Sequence, residues 1–202
     1  MGAAQARRAE RERQILEAAI RAFSRHGYHQ CTVAQVAREA GVADGTIYIY
    51  FKGKDDLLVC AFRHVLESIL EELDRDLAGI TDPLGRIRFL VERHLEVMER
   101  DPELAAFLQL QLRQPDASIR QAIAEPLRAY ARKIEQVVDE AKAAGAVRTD
   151  LATHVIRRVL FGAVDETVSA WVLNPRRGPL KPKAQAICDI VFHGIRAPRS
   201  GQ

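Results

Sequence analysis

Asparagine occurs once in the 202 residues, at Asn174, and cysteine three times, at Cys31, Cys60 and Cys188. The cysteines are far apart, odd in number and without C-x-x-C spacing, which argues against a disulfide framework or a zinc site and leaves three small buried or half-buried thiols. No run of about eighteen apolar residues exists, so no membrane-spanning helix is expected. Residues 1–13 are polar and charged and lack the apolar stretch of a secretory signal, so the chain is expected in the cytoplasm. No Asn-Gly hairpin signal separates alternating strands. The chain also lacks H-E-x-x-H, a Walker loop, a Rossmann fingerprint and G-x-S-x-G. Its histidines (His26, His29, His64, His94, His154 and His193) do not cluster at metal-ligand spacing. No catalytic residue, metal site or cofactor is therefore expected, and an enzyme is not.

Apolar residues make up 48% of the chain, enough for a real core in one large or two modest domains. The net charge of +3 is unevenly spread. Residues 1–54 carry nine Lys/Arg against five Asp/Glu, residues 55–144 carry twelve against eighteen, and residues 145–202 carry nine against four. A basic head before an acidic middle fits a head that meets phosphate.

The hydrophobic spacing reads as an all-α chain of about nine helices. Ile15, Ala18, Ala19, Ala22 and Phe23 mark a first helix over about 8–26, stopped by Gly27. Thr32, with Gln35 three residues on, has the capping-box pattern for a short second helix that Gly41 ends. A third short helix covers about 44–51, and a long fourth about 54–77. Pro83 opens a fifth that Asp101-Pro102 breaks. The sixth, over about 103–112, stops at Pro115-Asp116. The seventh covers about 118–144, with Pro126 expected to kink it. The eighth covers about 151–173, and the ninth about 181–196 after the loop Asn174-Pro175-Arg176-Arg177-Gly178-Pro179.

Two short helices parted by Gly41-Val42-Ala43 have helix-turn-helix spacing. The second offers Asp44, Gly45, Thr46 and Tyr48 at its N-terminal end, the part of such a helix that enters the major groove. Gly45 lets backbones approach closely. Thr46 suits a phosphate or a thymine methyl. Tyr48 and Tyr50 are long hydroxyl donors, and Lys54 places a cation at a helix N-terminus.

Residues 15–58 carry Ala22-Phe23, Gly27-Tyr28, Thr32-Val33, Val36-Ala37, Ala40-Gly41-Val42, Gly45-Thr46-Ile47-Tyr48, Tyr50-Phe51-Lys52, Lys54 and Leu57-Leu58. This pattern resembles the DNA-binding domain of the TetR family of regulators. It departs at Ala43, where the family often has a Ser or Thr cap, and Asp44 is expected to take that role. It departs again at Ile49, where many members have a polar contact. The resemblance implies that Thr32 meets phosphate, that Asp44, Gly45, Thr46 and Tyr48 face bases and backbone, and that Tyr50 and Lys54 clamp the backbone. It also implies a homodimer on a palindromic double-stranded operator, and a ligand pocket in the body. The domains expected are a three-helix head at 1–54 and a ligand-binding and dimerisation body at 55–202.

Within the body, residues 109–114, 119–121 and 160–168, with Trp171-Val172, resemble the acyl-CoA-responsive, FadR-type repressors of fatty acid degradation. That resemblance implies an acyl-CoA effector. Phe89, Phe107, Leu108, Leu112 and Phe161 are candidates for a dry acyl channel. Arg86, Arg88, Arg113, Arg120 and Arg128 are candidates for coenzyme A phosphates. Phe161, Asp165, Val168, Trp171, Ile187 and Val191 are candidates for the dimer interface, because the eighth helix is apolar on more than one side. Asp165-Glu166 on this helix needs partners, across the dimer, from Arg157 or Arg158, or in a ligand. A different hydrophobic small molecule or a drug is the alternative effector.

Overall fold

The computed structural model describes residues 2–113, 115–174 and 176–195. Its elements are all helices: α1 (Ala3–His26), α2 (Val33–Ala40), α3 (Asp44–Tyr50), α4 (Lys54–Leu77), α5 (Pro83–Arg100), α6 (Pro102–Leu112), α7 (Ala117–Ala143), α8 (Thr153–Leu173) and α9 (Lys181–Ile195). The all-α class read from the sequence is the one that forms. Gln114, Pro175 and Arg196, which the sequence reading placed in a resembling stretch, in a loop and at the end of the ninth helix, lie outside the described residues.

The chain gathers into two compact units, residues 1–67 with 103–126, and residues 68–102 with 127–202. The first unit reaches past residue 54. Leu57, Leu58, Ala61 and Phe62 of α4 are buried in it. Phe62 and Phe107 of α6 lie with ring centroids 6.3 Å apart.

In this first unit α1 begins at Ala3, five residues before the start expected at about residue 8. Residues 3–13 are exposed. Local pairs hold that extension, with Arg13 bonded to Glu10 at 2.7 Å and Gln14 to Glu10 at 3.2 Å, both at helical spacing. Ile15, Ala18, Ala19, Ala22 and Phe23 then bury one stripe, and Gly27 ends the helix at φ 71°. Thr32 caps α2 with the full reciprocal box. Gly41 leaves α2 in the left-handed region (φ 66°, ψ 34°), a conformation glycine adopts without a Cβ clash. The Val42 N–H returns to the Ala37 carbonyl at 2.9 Å, which fixes the turn into α3. One expectation is corrected here. Ala43, with no side-chain cap, is the N-cap of α3, and Asp44 is the first helical residue. Its carboxylate therefore acts on the helix dipole instead of capping.

In the second unit, α5 starts at Asp82, whose carboxylate accepts the Gly85 N–H at 2.6 Å, with Pro83 in the first turn. Ile87, Leu90, Val91, Leu95 and Met98 bury its apolar stripe, and α8 and α9 pack on it. α7 continues as one helix through Pro126. Trp171 of α8 donates its indole N–H to the Gly178 carbonyl at 2.8 Å, which anchors the α8–α9 loop. The inward stripe of α9 is Ala184, Cys188, Val191, Phe192 and Ile195.

Candidate nucleic-acid interface and ligand cleft

α3 is short, and its register decides what it can present. Ile47 is fully buried and Phe51, just beyond the helix, nearly so. That rotation turns Asp44, Gly45, Tyr48 and Ile49 outward, with Tyr48 59% and Ile49 68% exposed. Thr46 and Tyr50 are half-buried on the flank. A Cβ built on Gly45 meets nothing within 4 Å, so space outside this turn is open. The outward face thus offers one carboxylate, one phenol, one bare backbone segment and one apolar side chain. Such a set can accept from a cytosine amino group, bond a phosphate, and cover a thymine methyl. Ile49, which departs from the family's polar pattern, is the apolar member of that face. Sequence spacing gave only the departure; the exposure of this large apolar group is seen in the structure.

The flanks supply cations. The Arg8 guanidinium, on the exposed start of α1, stands 5.7 Å from the Tyr50 ring centre. Sequence reasoning missed this residue, because residues 1–14 carry no apolar period to place them beside α3. Lys54 is engaged within the unit: its ammonium donates to the His29 carbonyl at 3.1 Å and lies 4.6 Å from the Tyr28 ring centre. The Tyr28 hydroxyl in turn donates to Asp55. Burial and this carboxylate raise the Tyr28 pKa, so the phenol stays protonated. Thr32 is exposed at the start of α2 with its backbone N–H held by Gln35.

The second unit contains an apolar cleft of about 320 Å³. It is lined by Ile87, Leu90, Val91 and His94 of α5, Tyr130 and Ile134 of α7, and Leu160, Phe161 and Val164 of α8. Each set recurs at three- and four-residue spacing, so three helix stripes face one space. Its polar point is His94 Nδ1, 2.8 Å from the Tyr130 hydroxyl. Burial pushes the His94 pKa down to about 4, against the opposing pull of Asp165. The imidazole is therefore neutral at pH 7.

Of the residues expected to line an acyl channel, Phe161 is at this cleft. Phe89 is half-buried in the same unit. Phe107 and Leu108 are buried in the first unit, and Leu112 is half-buried there. The arginines differ too. Arg86 is half-buried and paired with Glu140 at 3.0 Å, while its Nε is buried without a hydrogen-bond partner among the described residues. Arg88 stands 5.2 Å from the Phe192 ring centre. Arg113, just past the end of α6, donates to Gln109 of that helix, and Arg120 and Arg128 are exposed.

The dimer candidates divide by burial. Val168, Trp171 and Val191 are buried within their own unit. Phe161, Asp165 and Ile187 are half-buried. The exposed large apolar side chains of α8 and α9 are instead Val155, Val159, Leu173 and Ile190. A helix apolar all round can satisfy both its own core and an outer stripe, and periodicity alone does not tell which side is which.

Comparison with known proteins agrees with this geometry. Residues 15–60 match the family described as bacterial regulatory proteins, tetR family. Residues 62–194 match the YsiA-like protein, C-terminal region. The fatty acid metabolism regulator protein of Bacillus subtilis is 32% identical over 182 residues, covering 90% of this chain and 94% of its own. The structure of the regulator FadR from Bacillus subtilis in complex with stearoyl-CoA superposes with a TM-score of 0.86 at 32% identity, over 91% of this chain and 98% of that one. The fatty acid degradation regulator FadR from Bacillus halodurans matches with the same TM-score, 0.86, and the same identity, 32%. The chain belongs to the TetR family of bacterial regulatory proteins, with a YsiA-like C-terminal region.

Proposed function

We propose that this protein is a homodimeric repressor of fatty acid degradation genes, released from a palindromic operator by medium- or long-chain acyl-CoA. The observation that carries the reading is the near end-to-end likeness to a regulator that holds stearoyl-CoA, in a chain whose second unit has an apolar cleft. The outward face of α3 reads the DNA through Asp44, Gly45, Tyr48 and Ile49. Thr32, Thr46, Tyr50 and Lys54 serve the backbone from the flanks. Half-buried Arg86, with an unfilled Nε donor, suits an anionic group of coenzyme A.

A second copy covers the outer stripes of α8 and α9. Val155, Val159, Gly162, Glu166, Ala170 and Leu173 recur at three- and four-residue spacing, and all are exposed. Pro182, Ala186 and Ile190 do the same on α9. Small and apolar groups in such rows let two helices approach closely. A two-fold pairing through them matches a palindromic site. The ligand acts by differential affinity: it favours a body conformation in which the two heads no longer fit half-sites about 34–36 Å apart.

The test adds lauroyl-CoA, free laurate and coenzyme A separately to a preformed protein–operator complex in a mobility-shift assay. Release by the thioester alone is expected. Release by none of them, or equally by laurate, removes the acyl-CoA assignment and leaves a regulator of another hydrophobic effector.

A further inference from the structure

The cleft of the second unit is apolar except where His94 and Tyr130 meet. Among the described residues, each ring has the other as its hydrogen-bond partner, at 2.8 Å. Burial holds the imidazole neutral and the phenol protonated. Two neutral groups then carry two N–H or O–H protons between them. One fills the bond between the rings. The other is left over in either tautomer: if the phenol donates to Nδ1, the Nε2–H remains, and if Nδ1–H donates, the phenol O–H remains. A donor left over at the wall of this cleft can be filled by an oxygen that a ligand brings in.

We propose that the His94–Tyr130 pair is the polar recognition point of the cleft, donating one hydrogen bond to an uncharged oxygen of a ligand whose body is otherwise apolar. The oxygen is a carbonyl or a hydroxyl. A carboxylate is disfavoured, because the charge acting on the imidazole is that of an acid, Asp165 on α8. The proposal deepens the acyl-ligand reading and rests on it for the tail. In such a ligand the oxygen has two sources, the thioester carbonyl or a substituent on the chain.

The experiment compares the full-length protein with the double variant His94→Leu/Tyr130→Phe. Removing both partners leaves no orphaned group, so the fold is expected to survive, and operator binding by the variant verifies it. Affinities are measured for 2-decanone and decane, and for lauroyl-CoA, its thioether analogue S-dodecyl-CoA, and 3-hydroxylauroyl-CoA. The ketone-to-decane affinity ratio is expected to fall roughly fivefold to tenfold in the variant. A matching fall in the lauroyl-to-thioether ratio assigns the thioester carbonyl; a fall only in the 3-hydroxylauroyl-to-lauroyl ratio assigns a chain oxygen. An unchanged ketone-to-decane ratio, no binding of either neutral probe, or a ketone effect with neither coenzyme A ratio moving while those ligands bind overturns the proposal. If no coenzyme A ligand binds while the ketone effect stands, the acyl-CoA reading fails and the role of the pair is retained.

Discussion

The Lys54 ammonium lies 4.6 Å from the centre of the Tyr28 ring and donates to the carbonyl of the next residue, His29, at 3.1 Å. One cation thus ties the start of α4 to the turn between α1 and α2, at the edge of the surface assigned to DNA. Lys54→Ala is expected to weaken operator binding and also to lower stability by about 0.5–1 kcal/mol, the usual worth of an exposed cation–π contact. Thermal unfolding beside a binding titration checks both. Wild-type stability in the variant would mean that the lysine acts on DNA alone.

Tyr48 has no such second duty. It is 59% exposed on α3, and surface changes of this kind usually shift stability by less than about 0.5 kcal/mol. Tyr48→Ala is expected to reduce operator affinity with an unchanged melting temperature. Tyr48 brings no Lys or Arg cation to the phosphates, so the slope of log affinity against log salt should stay the same. Arg8→Ala, which removes a cation beside Tyr50, should flatten that slope by about 0.9. Identical slopes in wild type and Arg8→Ala would take the start of α1 off the DNA.

Ile49 should read sequence, not charge. Ile49→Asn is expected to cost about 1–3 kcal/mol at one position of the operator and little on non-specific DNA, as loss of a thymine-methyl contact does. Replacing each thymine of the operator by uracil, which lacks the methyl, should weaken wild type at that position and leave the variant indifferent. Equal sensitivity of both proteins would remove this contact.

Stability should depend on the protonation of His94. Its folded pKa is about 4 against an ordinary 6.5, so between those values the unfolded chain binds more protons than the folded one. Stability contributed by the neutral imidazole is present above pH 6.5 and is lost as pH falls through the window to about 4. The His94→Leu/Tyr130→Phe variant should show a flatter profile across that window. Asp165 faces the same ring and works in the opposite sense, so Asp165→Asn should steepen the loss. A profile unaffected by the double substitution would contradict the burial assigned to His94.

The head was legible because its signals are local. Thr32 with Gln35 and Gly41 with Val42 each fix a helix end within a few residues, and the caps form as the spacing implies. Ile47 and Phe51 fix the rotation of α3 by burial alone. The start of α1 was not legible, since Arg7, Arg8 and Arg11 carry helix propensity but no apolar period. In the body the helices were legible and their facing was not. Val168 and Trp171 alternate with Val155, Val159 and Leu173 on a helix apolar nearly all round, so only packing separates an inner stripe from an outer one. The sequence showed of His94 only that it lies outside any metal-ligand spacing; that its N–H, or the O–H of Tyr130, is left over depends on a residue 36 positions away.

The most direct test of the account is reciprocity between DNA and effector. If acyl-CoA releases the protein because it favours a state that fits the operator poorly, then operator DNA must weaken acyl-CoA by the same factor by which acyl-CoA weakens DNA. Titration of lauroyl-CoA into the protein alone and into the preformed operator complex measures one arm, and operator titration with and without lauroyl-CoA measures the other. The account predicts two equal factors in the range of about 5–150. An acyl-CoA affinity that is the same with and without operator would contradict it.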